Sequence, residues 1–540
     1  MNKKGAIIAG ASAVLLVLAG VIVVVCVVFS KRNHHSSTGA AELPVSEKLL
    51  KAFCQPTDHR ETCEAELSKA ATHARSPADL TEAIFHVTSG KISEAISESN
   101  ALIDDLRNIS KRTSRALHNC GELLSYAVDN LEATLARLQG EVYSVGDLKT
   151  WISAALTFQE TCLDGLTDSA EAASKMSAAL GSSIELTEDI LAVLDQLPVT
   201  VTLQVEEDNA VPNLVVELKP NMTVASDGSG DFNTINEALA MVPRKSAQVY
   251  VMYVKAGVYR EYVSVPSDVI NLAMIGDGAS KTVITGSRNF MMNLTTKDTA
   301  TMEAIGHGFF MRDIKVENTA GPAKHQAVAL RVQSDQAVFH RCTFDGFQDT
   351  LYAHAMRQFF RDCTISGTVG FIFGNSQAVL QNCLIQARRP LDGQKNTVTA
   401  QGRRKRRSAG GTVLHNCTVA AHPDLLEAGT VVRTYLGRPW KEYSRTIYVQ
   451  SELGALVDPA GWLPWNASGF ALDTLFYAEV DNSGPGAGTT KRVRWGGIRN
   501  VTYEEAQEEF TVDAFLQGQQ FIPKYGVPLI RRLLPRSVRT

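Results

Sequence analysis

Proline is missing from the chain between Pro77 and Pro198, so nothing in that stretch imposes a helix break. Apolar side chains there recur in steps of three and four residues, which places them on one face of a helix. One such run contains Leu117, Cys120, Leu124, Ala127, Leu131, Leu135 and Leu138. The sequence therefore predicts an all-α domain resembling a four-helix bundle over residues 45–198.

An excess of positive charge is also missing, since the formal net charge is −4 at pH 7. A general nucleic-acid binder needs clustered cations to meet phosphates, so this class of protein is excluded. The cysteines include no Cys-x-x-Cys pair, and no histidine pair accompanies them, which argues against a zinc site. We expect neither a metal ion nor an organic cofactor.

Charged side chains are absent from residues 5–30, where Val, Leu, Ile and Ala dominate. A run of this length can span a bilayer, so it predicts an uncleaved membrane anchor or, alternatively, a signal peptide. Either alternative sends the remaining chain into the secretory pathway. Asn-x-Ser/Thr triplets compatible with glycosylation occur at Asn108, Asn221, Asn293, Asn416, Asn466 and Asn500.

Nine cysteines are present, and one of them, Cys26, lies in the apolar run. The other eight form an even number, which suits an oxidising compartment. Cys54 and Cys63 flank a short segment that contains a turn, whereas Cys120 and Cys162 fall on separate predicted helices. We predict the disulfides Cys54–Cys63 and Cys120–Cys162, although the sequence permits other pairings.

From about Pro212, short β-rich runs replace the helical pattern. One pattern occurs four times, as Ala337-Val-Phe-His-Arg-Cys342, Gln358-Phe-Phe-Arg-Asp-Cys363, Ala378-Val-Leu-Gln-Asn-Cys383 and Thr412-Val-Leu-His-Asn-Cys417, and a fainter copy ends at Ile314. The Ile and Cys positions are separated by 28, 21, 20 and 34 residues, which is typical of a solenoid whose coils carry insertions. We predict a right-handed parallel β-helix.

Stacked coils bring equivalent residues to about 4.8 Å, within the Cα range that a disulfide needs. Cys342 and Cys363 are therefore predicted to bridge adjacent coils as the disulfide Cys342–Cys363. Cys383 and Cys417 either pair in the same way or remain buried thiols.

The coil period also aligns a set of polar residues. Gln326 lies 22 residues before Gln348, and Asp349 lies 21 residues before Gly370, so all four positions should share one face of the solenoid. Such a row is typical of a carbohydrate-binding or hydrolytic cleft. The alternative is an amide ladder that only satisfies stacked backbone groups.

Longer motifs in this half are Asp227-Gly-Ser-Gly-Asp-Phe232, Thr319-Ala-Gly-Pro-Ala-Lys-His-Gln326, Phe347-Gln348-Asp349-Thr-Leu-Tyr, Val398-Thr-Ala-Gln-Gly402, Tyr435-Leu-Gly-Arg438-Pro-Trp440 and Gly484-Pro-Gly-Ala-Gly488. These motifs resemble those of plant pectin methylesterases and occur in that family's order. The helical half resembles the pectin methylesterase inhibitor domain, through Ala116-Leu-His-Asn-Cys120-Gly-Glu-Leu and Trp151-Ile-Ser-Ala-Ala-Leu-Thr-Phe-Gln-Glu-Thr-Cys162. The resemblance implies an inhibitor-like domain at residues 45–198, a linker at 199–211, an esterase-like β-helix at 212–525 and a tail at 526–540.

Such enzymes hydrolyse galacturonate methyl esters by a covalent route, in which one aspartate attacks and a second serves as acid and base. The resemblance makes Asp349 the acid/base. It makes Gln348 an oxyanion donor assisted by Gln326, because preorganised amides stabilise developing negative charge. In the segment Gly367-Thr-Val-Gly370-Phe-Ile-Phe-Gly-Asn375, Gly370 occupies the position of the nucleophilic aspartate.

Three further residues are implied to bind substrate. Arg438 would hold the nucleophile and contact the sugar, Trp440 would stack on a sugar ring, and Thr296 matches a further contact position. Without a carboxylate at Gly370, a galacturonate carboxylate could pair with Arg438 instead. The basic block Arg403-Arg-Lys-Arg-Arg407 is interpreted as a solvated loop, the alternative being a surface that captures polygalacturonate.

Two functions follow from the resemblance. The first is a pectinesterase that acts on homogalacturonan in the cell wall and releases methanol, weakened or inactivated by Gly370. The second is a non-catalytic wall protein that binds pectin, or inhibits other pectin methylesterases through its helical domain. The implied partners are pectin and, for the helical domain, the chain's own β-helix or other such esterases. An extracellular location is expected, with membrane attachment if residues 5–30 are retained.

Overall fold

The computed structural model describes residues 46–106, 109–140, 143–197, 218–427, 429 and 432–536. The predicted anchor at residues 5–30 and the predicted linker at residues 199–211 lie outside these ranges. Within the described ranges, no helix is long and apolar enough to cross a membrane. The chain divides into a helical unit and a β-rich unit.

In its described residues, the helical unit contains two short helices and four long ones: α1 (Glu47–Cys54), α2 (Arg60–Ala70), α3 (Pro77–Asp105), α4 (Lys111–Leu138), α5 (Val145–Asp164) and α6 (Ala170–Leu194). A capping box starts α3, because the Ser76 hydroxyl accepts from the Asp79 N–H and the Asp79 carboxylate accepts from the Ser76 N–H. Pro77 takes the first helical position, where its missing N–H costs nothing. The predicted all-α domain is confirmed.

The apolar run predicted on α4 faces the bundle interior. All of its members are buried except Leu135, which is half-buried beside the buried Thr134. Polar groups inside the bundle are paired: the Gln159 side chain donates to the Thr187 hydroxyl at 2.9 Å and accepts from the Ser183 hydroxyl at 2.8 Å. Such pairing removes the cost of burying an amide.

Both disulfides predicted for this unit are confirmed. Cys54–Cys63 joins the end of α1 to α2, with the two Cα atoms 5.8 Å apart. Cys120–Cys162 ties α4 to α5, with a Cα separation of 4.5 Å.

Three parallel sheets build the β-rich unit, with strands numbered along the chain. The first sheet contains β1 (Met222–Val224), β2 (Tyr250–Val254), β5 (Leu272–Gly276), β8 (Phe310–Arg312), β11 (Ala337–His340), β14 (Arg357–Arg361), β17 (Gln377–Gln381), β20 (Gly411–His415), β23 (Arg445–Val449), β25 (Phe476–Val480) and β26 (Ile498–Arg499). The second contains β4 (Val263–Val265), β7 (Met302–Ala304), β10 (Leu330–Val332), β13 (Leu351–Ala353), β16 (Val369–Gly374), β19 (Asn396–Gln401) and β22 (Thr434–Gly437). The third contains β3 (Gly257–Tyr259), β6 (Thr282–Gly286), β9 (Lys315–Asn318), β12 (Thr343–Asp345), β15 (Thr364–Gly367), β18 (Leu384–Ala387), β21 (Thr418–Ala421) and β24 (Glu452–Leu453).

Successive coils stack in register around one apolar core, which confirms the right-handed parallel β-helix. Phe339 on β11 pairs with Phe360 on β14, and their rings stack with centroids 4.8 Å apart. Phe344 on β12 meets the Phe360 ring edge-on from the third sheet. Four short helices accompany the coils: α7 (Ile235–Met241), α8 (Pro423–Glu427), α9 (Tyr503–Glu509) and α10 (Val512–Leu516).

The predicted Cys342–Cys363 disulfide is wrong. Cys342, Cys363, Cys383 and Cys417, here called the cysteine ladder, are four buried free thiols on successive coils. In-register strands project these side chains in parallel into the core, and each Sγ contacts a carbonyl of the coil before it. The prediction used the Cα spacing alone, whereas a disulfide also needs converging Cβ directions.

Residues 526–536, the described part of the segment predicted to be a tail, pack on the β-helix. Leu533 is buried in the cluster that covers the outer face of the first sheet. The Gln381 side chain bonds the backbone of Ile530, and the Gln450 side chain bonds the backbone of Leu534. Polar side chains on the outer face of the β-helix therefore hold this segment in place.

Candidate functional site

Asp349 and Gly370 occupy equivalent positions on adjacent coils at the second sheet. Asp349 precedes β13, Gly370 lies in β16, and the Asp349 N–H donates to the Val369 carbonyl at 3.3 Å. Both residues have a left-handed backbone conformation, with φ of 66° for Asp349 and 56° for Gly370. Between Val369 and Ile372 the pairing of β16 with β19 shifts register, so the backbone bulges at Gly370.

The surroundings of Gly370 fit a short side chain. A Cβ built there would lie 3.9 Å from Arg438 Nη2 and 3.9 Å from Asp349 Oδ1. It would also lie 3.1 Å from the Ala400 Cβ, a contact tight enough to demand a small adjustment. The Gly370 N–H donates to the Thr397 hydroxyl at 2.8 Å, which fixes the backbone of the bulge.

Arg438 follows β22 and brings the positive charge of the cleft. Its guanidinium carbon lies 4.3 Å from the centre of the Trp465 ring, so the indole covers one face of the cation. The Nε atom is buried without a hydrogen-bond partner, and among the described residues no carboxylate forms an ion pair with Arg438. Burial lowers the pKa of Arg438, and the charge of Asp349 acts in the opposite direction.

Asp349 is surrounded by protein and keeps partial contact with solvent. Burial raises the pKa of Asp349 to about 7, while the charge of Arg438 works against that rise. A carboxyl group with such a pKa is mostly protonated at pH 5 to 6. It can therefore act as an acid there, which an ordinary aspartate cannot do.

An apolar floor adjoins these polar groups. It consists of Ala300, Val328, Tyr352, Phe373 and Ala400, with Trp440 packed on its edge. The Tyr352 and Phe373 rings stack 4.3 Å apart, and Phe373 meets Trp440 edge-on at 5.9 Å. Gly402 permits this packing, because a Cβ there would lie 2.7 Å from Trp440 Cε3. The floor itself is buried, and Trp440 is its partly exposed member, so the indole face of Trp440 is the apolar surface that suits a sugar ring.

Gln326 and Gln348 lie on neighbouring coils, since the Ala327 N–H donates to the Gln348 carbonyl at 3.2 Å. Both side chains are partly exposed, and neither makes a side-chain hydrogen bond within the described part of the chain. An amide ladder would show bonds between these amides, so the observed geometry favours donors that remain available to a ligand.

Thr296 lies immediately before the short 3₁₀ helix Lys297–Thr299. It is partly exposed, and Ala300 of the apolar floor follows four residues later. The structure shows no hydrogen bond from the Thr296 side chain to any other candidate residue in the described ranges.

The sequence analysis missed Trp465, Tyr352 and Phe373. The two floor aromatics fall inside motifs already singled out, so their alternation on β13 and β16 was an available signal. Trp465 lies in a loop, and nothing in the sequence connects it with Arg438.

The basic block at residues 403–407 is not the solvated loop that was expected. Of these five residues Arg406 alone is exposed. The Arg403 guanidinium donates to the carbonyls of Lys405 and Arg406, and Arg404 lies 3.7 Å from the Glu442 carboxylate. Burial and the neighbouring Arg406 charge lower the pKa of Arg403 to about 10. The block is therefore a half-buried cationic turn. In the described ranges, no group of three or more His, Cys, Asp or Glu side chains is placed to hold a metal ion.

Comparisons with known proteins agree with this architecture. The family model described as Pectinesterase matches residues 221–519, and that described as Plant invertase/pectin methylesterase inhibitor matches residues 48–193. The Arabidopsis thaliana protein called probable pectinesterase/pectinesterase inhibitor 21 is 42% identical over 526 residues, which are 92% of this chain and 78% of that protein. A second relative, putative pectinesterase/pectinesterase inhibitor 28 of the same plant, is 41% identical over 520 residues, or 92% and 70% of the two chains.

Among solved structures, the pectin methylesterase from carrot is 49% identical, with a TM-score of 0.57, and the match covers 58% of this chain and 99% of that one. The chain therefore belongs to the pectinesterase family and carries an N-terminal domain of the plant invertase/pectin methylesterase inhibitor family.

Proposed function

We propose that the β-helix binds cell-wall pectin in the cleft around Asp349 and Arg438, and that it does not hydrolyse methyl esters at the rate of an intact pectinesterase. The missing side chain at Gly370 is the observation that carries this proposal. The family relationship supports pectin as the ligand, and the cationic and apolar surfaces of the cleft suit an acidic polysaccharide.

Covalent ester hydrolysis needs a nucleophile, an acid for the departing methanol and donors for the oxyanion. Asp349 suits the acid role, because a pKa of about 7 lets it donate a proton under mildly acidic conditions. The amides of Gln348 and Gln326 suit the oxyanion role. The described residues offer no candidate for the nucleophile. Gly370 carries no side chain, and the upstream Asp362 is engaged with His340 and Arg361.

A slow one-step reaction is the remaining route. Asp349 in its ionised form could remove a proton from water, which would then attack the ester carbonyl directly. This route lacks the covalent intermediate that divides one high barrier into two lower ones. Any turnover by this chain is therefore expected to be slow and to increase as Asp349 ionises.

Methanol release from highly methylated pectin tests the proposal, with both the full chain and residues 212–540 as samples. We expect pectin binding without measurable turnover in either sample. Turnover at about 1 to 10³ per second, the range of ordinary enzymes, would contradict the catalytic part. Absence of pectin binding in affinity electrophoresis would contradict the binding part.

The helical domain supports a second function, inhibition of other pectin methylesterases. The observation that favours it is the match of residues 48–193 to the inhibitor family, on a bundle held by two disulfides. Residues 45–198 added to an active plant pectin methylesterase should lower methanol release, and unchanged release would contradict this function. The proposed location is the cell wall, with residues 5–30 as an anchor if they are retained.

A further inference from the structure

We infer that the space beside Gly370 is a receptor for the free carboxylate of a de-esterified galacturonate unit, so that the cleft prefers pectate to methyl-esterified pectin. This inference rests on the proposed function, because it specifies which chemical form of pectin the cleft binds. It reverses the preference expected of an esterase, whose substrate is the methyl ester.

Arg438 supplies the charge for such a site. Its Nη2 atom lies 3.9 Å from the place where a Cβ of residue 370 would be, and its Nε is buried without a partner. No described carboxylate pairs with the guanidinium, and Trp465 covers one of its faces. A half-buried cation in this state gains strongly from a carboxylate that can accept a charge-assisted hydrogen bond.

Asp349 would repel a second carboxylate only when it is itself ionised. With its pKa raised to about 7 by burial, Asp349 is neutral at pH 5 to 6 and can donate its proton as a hydrogen bond. A galacturonate carboxylate is already ionised above about pH 4.5, as an ordinary α-carboxyl group is. At this pH the site therefore presents one positive charge and one neutral donor to the incoming anion.

The charges around Asp349 are few. Arg438 is the one charged group with an electrostatic effect on Asp349 in the described ranges. Tyr477, which faces Arg438, stays neutral because burial raises its pKa. The amides of Gln326 and Gln348 add uncharged donors. A methyl ester offers this set of groups no negative charge, so it forfeits the ion pair with Arg438.

An aspartate at position 370 would occupy the same space and neutralise the same cation. The preference for the free acid is thus a consequence of the glycine, and residue 370 is its specificity determinant. Aspartate and asparagine have nearly the same shape and both tolerate left-handed backbone, so they form a matched pair for a test.

Isothermal titration of the full chain at pH 5.5 would test the inference, with a fully de-esterified galacturonate hexamer and its fully methyl-esterified counterpart as probes. We expect the free acid to bind at least about tenfold more tightly than the ester. Gly370→Asp should bind the free acid at least about tenfold more weakly than wild type, because its own carboxylate pairs with Arg438. Gly370→Asn should still bind the free acid more tightly than the ester, because Arg438 remains unpaired. Raising the pH to 8 should weaken free-acid binding by about tenfold as Asp349 ionises.

The outcomes separate this inference from the proposed function. Equal or tighter binding of the ester by the wild-type chain overturns the inference and leaves pectin binding intact. Binding of neither hexamer overturns both. If free-acid affinity is the same at pH 5.5 and pH 8, Asp349 is not part of the carboxylate site. If it is the same in wild type and Gly370→Asp, position 370 is not part of it. Either result overturns the inference.

Discussion

Replacing Gly370 by aspartate would place a carboxylate beside the Arg438 guanidinium. The new Cβ would lie 3.9 Å from Arg438 Nη2 and 3.9 Å from Asp349 Oδ1, so the carboxylate one bond further on can reach the guanidinium. We expect Gly370→Asp to gain pectin methylesterase activity, because the groups proposed as acid, oxyanion donors and sugar-stacking ring are already in place.

The expected gain is large. Removing the nucleophile of another hydrolase lowers turnover by several orders of magnitude, and we expect a change on the order of 10⁴-fold or more here. A factor of 10⁴ corresponds to about 5 kcal/mol of transition-state stabilisation. Positioning accounts for most of it, since the attacking oxygen must approach the ester carbon to about 3 Å.

The substitution should leave the fold intact. Left-handed backbone costs a non-glycine residue about 1 kcal/mol, less for aspartate, and Asp349 already adopts φ of 66° one coil away. The 3.1 Å approach to Ala400 adds a small strain. A charge-assisted hydrogen bond to Arg438, about 1.5 to 3 kcal/mol, acts in the opposite direction. We therefore expect little net change in stability.

Methanol release from highly methylated pectin provides the assay, in the full chain and in residues 212–540. Gly370→Asn is the matched control, because its amide fills the same space and cannot serve as the nucleophile. A folded Gly370→Asp protein that releases no more methanol than Gly370→Asn would refute the reasoning, as would wild-type turnover equal to that of Gly370→Asp.

Three further predictions concern stability and thiol chemistry. Asp349→Asn should match wild type in free energy of unfolding near pH 4 and exceed it at pH 8. The pKa of Asp349 is about 7 in the folded protein and near 4 in the unfolded chain, so the wild type loses stability as the pH rises through this window. The loss amounts to at most about 4 kcal/mol. Denaturant titration that shows parallel pH profiles would contradict this. Loss of the Cys120–Cys162 disulfide, which closes 42 residues, should lower bundle stability by about 4 kcal/mol, and an unchanged midpoint would count against it. Of the eight cysteines in the described ranges, four form disulfides and four are free, so unreduced, denatured residues 45–540 should expose four thiols to a thiol reagent, whereas a bridged cysteine ladder would leave fewer.

The broad architecture was readable from local patterns. The missing prolines and the run from Leu117 to Leu138 predicted the bundle because helix burial depends on a periodicity within one segment. The recurring motifs that end at cysteines predicted the β-helix because each coil repeats the same inward positions. Register follows from that repeat, so the stacking of Asp349 on Gly370 was also predictable.

The wrong and missed features depend on side-chain directions and on contacts between residues far apart in the sequence, which local patterns do not show. The cysteine ladder has the Cα spacing of a disulfide, but the sequence does not show that its side chains project in parallel. The positions of Ile530 and Leu534 depend on hydrogen bonds to Gln381 and Gln450, which lie 149 and 84 residues earlier in the chain. The partner of Arg438, Trp465, lies in a loop whose path no periodicity describes.

The cleft shows how recognition and chemistry can separate at one residue. Its shape is fixed by backbone features that do not need a carboxylate: the bulge in β16, the bond from the Gly370 N–H to the Thr397 hydroxyl, and the left-handed turn at Asp349. Because these features do not require a side chain at position 370, Trp440 and Arg438 keep their positions in the cleft. With glycine at position 370, Arg438 forms no ion pair with a described carboxylate, and a half-buried cation without an anionic partner favours binding of an external anion. Under the proposed function, the glycine that deprives the cleft of a covalent nucleophile would also favour binding of the reaction product, the free acid.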